Sequence, residues 1–193
     1  MDRDSQAVVD QLNHALAESG LSQAAFATAL GTSASRFSTY RSGRTKPTAQ
    51  FFLRAGRIAH ALHEARDRRI MTAPATAAAI READDTEWAW RMLLQGRDHL
   101  RLLLHRRDGS EAAWEAAPDT TGHAGFDTLL ALLTAQEFKA AGEDPPAWTD
   151  VEALPDPWIP EHPFLDRDEI IDQTPAYLAA ANIFVPARDL VNA

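Results

Sequence analysis

Between residues 20 and 47 the chain reads GLSQAAFATALGTSASRFSTYRSGRTKP, and Gly20, Gly31 and Gly43 cut this stretch into pieces of about two helical turns each. Helices that short do not stand alone in water and must pack against neighbours. The local chemistry fits that demand. Gly20 ends a first helix in which Val8, Val9, Leu12, Ala15 and Leu16 recur at helical spacing. Ser22 caps a second helix, with Ala25, Phe26, Ala29 and Leu30 apolar and the small Ala27 between them. Gly31 stops it at a turn that favours positive φ. Ser33 caps a third helix carrying Phe37 and Tyr40, which Gly43 ends. Pro47 and Thr48 open a fourth, with Phe52, Ala55, Gly56, Ala59 and Leu62 on one stripe, running to about Arg69.

Beyond Arg69 the pattern loosens. The run TAPATAAA from Thr72 reads as a weakly structured joint in its first half, which divides the chain into domains over 5–70 and 72–193. A long helix is expected from Asp85 or Thr86 to about Arg107, with Ala89, Leu93, Gly96, Leu100 and Leu103 facing inward. Asp108-Gly109-Ser110 is a turn, and a further helix covers about Phe126–Ala141 before Gly142. Six prolines lie among the nineteen residues from Pro145 to Pro163, which must be largely extended or turning. Thr174-Pro175 opens a short helix and Pro186 a last segment. The fold class is therefore mainly α: an N-terminal helical domain, then a mostly helical domain containing a proline-rich extended segment.

Charge is divided as sharply as pattern. The whole chain carries a formal charge of −9. Residues 1–70 hold ten Lys/Arg against six Asp/Glu, whereas 71–193 hold nine against twenty-two. No acidic residue lies between Glu18 and Glu64, where Arg36, Arg41, Arg44, Lys46, Arg54 and Arg57 all fall. A polyanion needs only a local positive face, because charges further away than a Debye length of ~10 Å are screened. There is no cysteine, hence no disulfide frame, thiolate metal site or thiol nucleophile. No apolar run approaches the ~20 residues that span a bilayer, and the acidic MDRDSQAVVD start lacks a signal-peptide core. A cytoplasmic protein with no membrane partner is expected.

The spacing across residues 8–62 resembles the Cro/lambda-repressor-like (Xre) helix-turn-helix family. Gln23, Ala27, Gly31, Ser33, Phe37, the Gly43 turn and Lys46-Pro47 carry the resemblance. The chain departs from the family pattern at Arg41, often acidic, at Ala34, often a base-reading side chain, and at the bulky pair Phe51-Phe52. The resemblance implies a lambda-repressor-like domain that binds double-stranded DNA with its third helix in the major groove. On that helix Ala34, Ser35, Ser38 and Thr39 then lie on the outward side, with Arg36 at its margin, and Ser33 at the cap joins the DNA-binding set. Arg36 is the first choice for a bidentate contact to guanine, and Ala34 for a thymine methyl. Ser35 and Thr39 suit a base edge or a phosphate. Gln23, Arg41, Arg44 and Lys46 are assigned to phosphates, which set register without reading sequence.

Other signals stay at background. His60 and His63 share a helix face at i, i+3, but no nearby carboxylate or cysteine completes a metal set. His99, Arg101 and His105 fit a charged helix surface, and Asp166, Asp168, Glu169 and Asp172 suit a first helical turn. No nucleophile–base set and no glycine-rich phosphate loop is present, so neither catalysis nor a cofactor is expected. The five tryptophans, 88, 90, 114, 148 and 158, all lie past the first domain, as core or as partner-binding surface. One recognition helix reads only a half-site, so a homodimer is expected. Trp148, Pro157-Trp158, Thr174-Pro175 and Asn182–Val185 loosely resemble actinobacterial antitoxin-type regulators. That resemblance implies a repressor whose residues 72–193 bind a toxin. The alternatives are a stand-alone phage-type or metabolic regulator whose second domain senses a ligand or only dimerises, and last an enzyme with a DNA-binding domain.

Overall fold

The computed structural model describes residues 2–191. It is mainly helical, with no strand among the described residues. Among the described residues nine α-helices follow in order: α1 (Arg3–Ser19), α2 (Gln23–Ala29), α3 (Ala34–Arg41), α4 (Ala49–Asp67), α5 (Ala73–Arg81), α6 (Thr86–Arg106), α7 (Ala124–Ala141), α8 (Arg167–Asp172) and α9 (Ala176–Ala179). Three 3-10 turns, Ser110–Trp114, Ala147–Thr149 and Ala187–Leu190, complete the regular structure.

The chain forms two compact units, one of residues 1–76 with 99–119, the other of 77–98 with 120–193. This division differs from the one that composition suggests near residue 72. The stretch expected as a joint is the helix α5. Thr72 Oγ1 caps it by accepting from Ala75 N at 3.3 Å, and Ala73, Thr76, Ala77 and Ile80 are buried. Pro74 sits in the first turn, where its missing N–H would have had no helical partner, and the alanines that follow are the best helix formers.

In the first unit, Leu12, Phe26, Leu30, Phe37, Ile58 and Leu62 are buried in one cluster from α1 to α4. Each large side chain sealed there contributes roughly 1.5–3 kcal/mol. Ala112, Ala113 and Ala116 belong to the same cluster, so the segment after α6 closes this core rather than the other. Ala117 N donates to Ala29 O at 3.2 Å, and the fully buried Trp114 donates its indole N–H to Met71 O at 3.0 Å.

The second unit centres on α7, whose Leu129, Leu130, Leu133 and Phe138 are buried, as are Leu93, Leu178, Ile183 and Val185. Arg97 donates to Glu137 and to Leu190 O, in a pair with side chains only 12% and 11% exposed. Asp166 and Glu169 form a capping box at α8. From Pro145 to Pro163 the only regular features are the turn Ala147–Thr149 and a single parallel bridge between Trp158 and Ile183.

Candidate nucleic-acid interface

The geometry of α2 and α3 is built from three local devices. Ser22 Oγ accepts from Ala25 N and Ser33 Oγ from Arg36 N, both at 3.1 Å, which fixes where each helix starts. Between them Gly31 takes φ +68°, while Thr32 N donates to Ala27 O. Ala27 is fully buried, as the close crossing of the two helices requires. Phe37 then meets Phe26 edge-on with centroids 5.5 Å apart, and Phe51 lies over both Phe37 and Tyr40. The bulk of Phe51 thus fills space against α3.

With Phe37 and Tyr40 turned inward, the opposite side of α3 is settled. Ser33, Ala34, Ser35, Arg36 and Ser38 are exposed and Thr39 is half-buried, its hydroxyl donating to Arg36 O. Ser33 spends its hydroxyl oxygen on the helix cap. Arg36 lies back along its own helix: Nε donates to the Tyr40 hydroxyl at 2.8 Å and the guanidinium sits 5.9 Å from the Tyr40 ring centroid. Its two Nη groups meet no acceptor among the described residues and remain available for a bidentate contact.

The basic residues of the acid-free stretch are not equivalent. Arg41 is tied down, donating from Nε to Asn13 Oδ1 at 2.7 Å and from Nη1 to Gln23 Oε1 at 2.5 Å. Its guanidinium also stands 6.0 Å from the Phe37 ring centroid. One side chain therefore joins α1, α2 and α3. Because Gln23 accepts through its carbonyl, its NH₂ is the half left to donate elsewhere. Arg54 donates to Leu30 O and Glu115 O, and Arg57 makes a two-pronged pair with the Glu115 carboxylate. Arg44 is exposed, with no hydrogen bond or ion pair among the described residues. Lys46 is exposed and near enough to Asp2 to help lower its carboxyl below the usual range, after the larger effects of the Ser5 backbone N–H and hydroxyl.

Sequence reading places Tyr40 in the packing of the third helix without pairing it to Arg36, and it does not single out Asn13 or Glu115. Tyr40 had a signal, since i+4 from Arg36 is a side-chain neighbour on a helix. Asn13 and Glu115 had none, being brought in by tertiary packing. Glu18, on α1, lies 3.1 Å from His60 and 3.9 Å from His14, so His60 does have a carboxylate neighbour, supplied across helices. No set of three metal-binding side chains converges among the described residues. No helix among them is long and apolar enough to cross a membrane.

Residues 7–69 match the family model of a helix-turn-helix domain. The matched span begins within α1, takes in α2 to α4 and ends before α5. No curated protein and no solved structure matches the chain. The chain thus has an N-terminal helix-turn-helix domain within a mainly helical structure, which supports a DNA-binding regulator.

Proposed function

We propose that this chain is a cytoplasmic, sequence-specific transcriptional repressor of the Cro/lambda-repressor-like kind, binding double-stranded DNA as a homodimer. One observation carries the reading: α3 turns its polar N-terminal side to solvent beside the free Arg44 and exposed Lys46, while an aromatic cluster holds it from behind. A helix held that way enters the major groove with its first residues nearest the bases.

Arg36 leaves Tyr40 to reach guanine, an exchange that costs one part-buried hydrogen bond and gives a contact worth ~1–3 kcal/mol against a wrong base. Ala34 meets a thymine methyl, and Ser35, Ser38 and Thr39 line the rest of the groove face. Ser33, held in the cap, offers its backbone to phosphate. Arg44, Lys46 and the Gln23 NH₂ neutralise or bond phosphates. Arg41 positions Gln23 and α3, and its Nη2 and the second Nη1 hydrogen are left for phosphate. Two copies on a palindromic site supply the affinity that one module lacks. Repression follows because a bound dimer obstructs polymerase without further contacts. The reading includes no catalytic step and no cofactor.

Gel shifts on an enriched duplex test this directly. Arg36→Ala is expected to relax sequence preference, and Lys46→Ala to weaken all duplexes alike. If both variants bind as the parent does, α3 is not the reading helix. A second reading, an antitoxin, is favoured by the second unit, whose six Lys/Arg and eighteen Asp/Glu give it a charge of −12. Such a surface suits a basic partner. Co-expression with the neighbouring gene, followed by purification at high and low salt, would show a stable complex or dismiss the idea.

A further inference from the structure

The second unit contains a cavity of about 850 Å³, the size of pockets that hold small molecules. We propose that it binds a small organic cation, an alkylammonium or guanidinium group on an apolar body. This goes beyond DNA binding and does not rest on it.

One wall is aromatic. Trp90, Phe126, Trp158 and His123 form a continuous run of rings, with Phe126 6.2 Å from Trp90, 5.2 Å from Trp158 and 5.5 Å from His123. Trp158 is built into place. Its backbone N donates to Asn182 O at 2.8 Å, its carbonyl accepts from Phe184 N at 2.9 Å, and its indole lies against Gly125. A Cβ on Gly125 would stand 2.3 Å from the indole, so only glycine leaves room for the ring.

The charged groups around this wall are mostly negative. Glu87, Glu161 and Asp189 line the cavity with Arg188, which is half-exposed and 3.8 Å from Asp189; Glu87 is paired with Arg91 at 2.5 Å, so the excess negative charge rests on Glu161. Glu161 has no hydrogen bond or ion pair among the described residues. The two histidines are engaged within the fold. His123 Nδ1 accepts from Gly125 N at 3.1 Å, and His162 Nδ1 accepts from Phe164 N and Leu165 N. His162 Nε2 lies 3.2 Å from Asp189 Oδ2, so both of its ring nitrogens are occupied. The ring faces and the unpaired Glu161 carboxylate both favour a cation, and the aromatic area favours one with an apolar body.

Calorimetric titration of the full chain at physiological salt, with benzyltrimethylammonium, choline and dimethylbutanol, tests the assignment. Dimethylbutanol is the uncharged carbon isostere of choline. Affinity is expected to fall in that order, with choline about tenfold tighter than its isostere. Glu161→Gln should weaken the two cations several-fold and leave dimethylbutanol unchanged. Gly125→Ala, which evicts the indole, should abolish binding of all three. Should that variant fail to fold, Trp158→Leu replaces it, with the cation preference expected to collapse. Equal affinity for choline and dimethylbutanol overturns the proposal, as does an absence of saturable heat. So does cation binding that survives both Glu161→Gln and whichever of Gly125→Ala and Trp158→Leu is read, which would mean diffuse attraction to an acidic surface.

Discussion

Salt dependence separates the cations that face DNA from those that only share its stretch of sequence. Each phosphate neutralised by a cation releases counterions and adds about −0.9 to the slope of log K against log salt. Six cations lie between Glu18 and Glu64, but Arg54 and Arg57 are held by Glu115, and Arg41 by Asn13 and Gln23. Arg36 is assigned to a base. Arg44 and Lys46 remain as the free phosphate neutralisers of each module. Lys46→Ala should therefore make the slope shallower by about 0.9 per module and about 1.8 per dimer. Between roughly 50 and 200 mM salt, the dimer would then lose about twelvefold less affinity than the parent does. Arg44→Ala should do the same, while Arg57→Ala should leave the slope unaltered. Fluorescence anisotropy on one duplex across a salt series gives all four slopes. A reduced slope for Arg57→Ala with unchanged slopes for Arg44→Ala and Lys46→Ala would refute the reasoning, placing the phosphates along α4 instead.

Stability offers further checks. Phe37→Ala empties a fully buried site between Phe26 and Phe51 and should cost about 3–5 kcal/mol, read as a lower denaturation midpoint. Gly31→Ala meets only Arg54 Nη1 at 3.9 Å, so its expected cost of ~1–2 kcal/mol is that of holding φ +68° with a Cβ; a loss above that would point to a clash instead. Arg41→Ala should cost ~1–2 kcal/mol and weaken binding to every duplex alike, and Arg41→Lys should not restore it, because an ammonium lacks the fork that spans Asn13 and Gln23. Asp2 and Asp108 have carboxyls lowered first by hydrogen bonds, to the Ser5 N–H and the Ser110 hydroxyl respectively. Lowered folded-state values mean that their contribution is complete well above 3.8, shrinks as pH falls past 3.8, and is gone below the folded value. Asp2→Asn should flatten the acid limb of a stability–pH curve; an unchanged limb would exclude the cap as its source.

The parts that sequence made legible are those decided within a few residues. Ser22, Ser33 and Thr48 each cap the helix their positions suggest, and Gly20, Gly31 and Gly43 all take positive φ. Side-chain direction on α3 was legible too, because Phe37 and Tyr40 are its only large apolar residues among eight. Non-local choices were not. Nothing in TAPATAAA distinguishes a linker from a buried helix, since alanine is indifferent to burial and Pro74 is as acceptable in a first turn as in a loop. That residues 99–119 close the first core depends on Ala112, Ala113 and Ala116, whose small side chains give no pattern. Glu115 reaches Arg57 across 58 positions of sequence, so that this cation of the acid-free stretch is paired shows only in three dimensions. The tryptophans divided for the same reason: Trp114 is fully buried, Trp88 is 48% exposed, and Trp158 stands where a glycine lets it.

Selection of bound duplexes from a random library, run in parallel with the parent chain and Arg36→Ala, addresses sequence-specific recognition through α3 most directly. The expected result is an inverted repeat with half-sites one or more helical turns apart, containing a guanine whose enrichment disappears in the variant. Recovery of no motif above the starting library, or of one motif unchanged by Arg36→Ala, would contradict it.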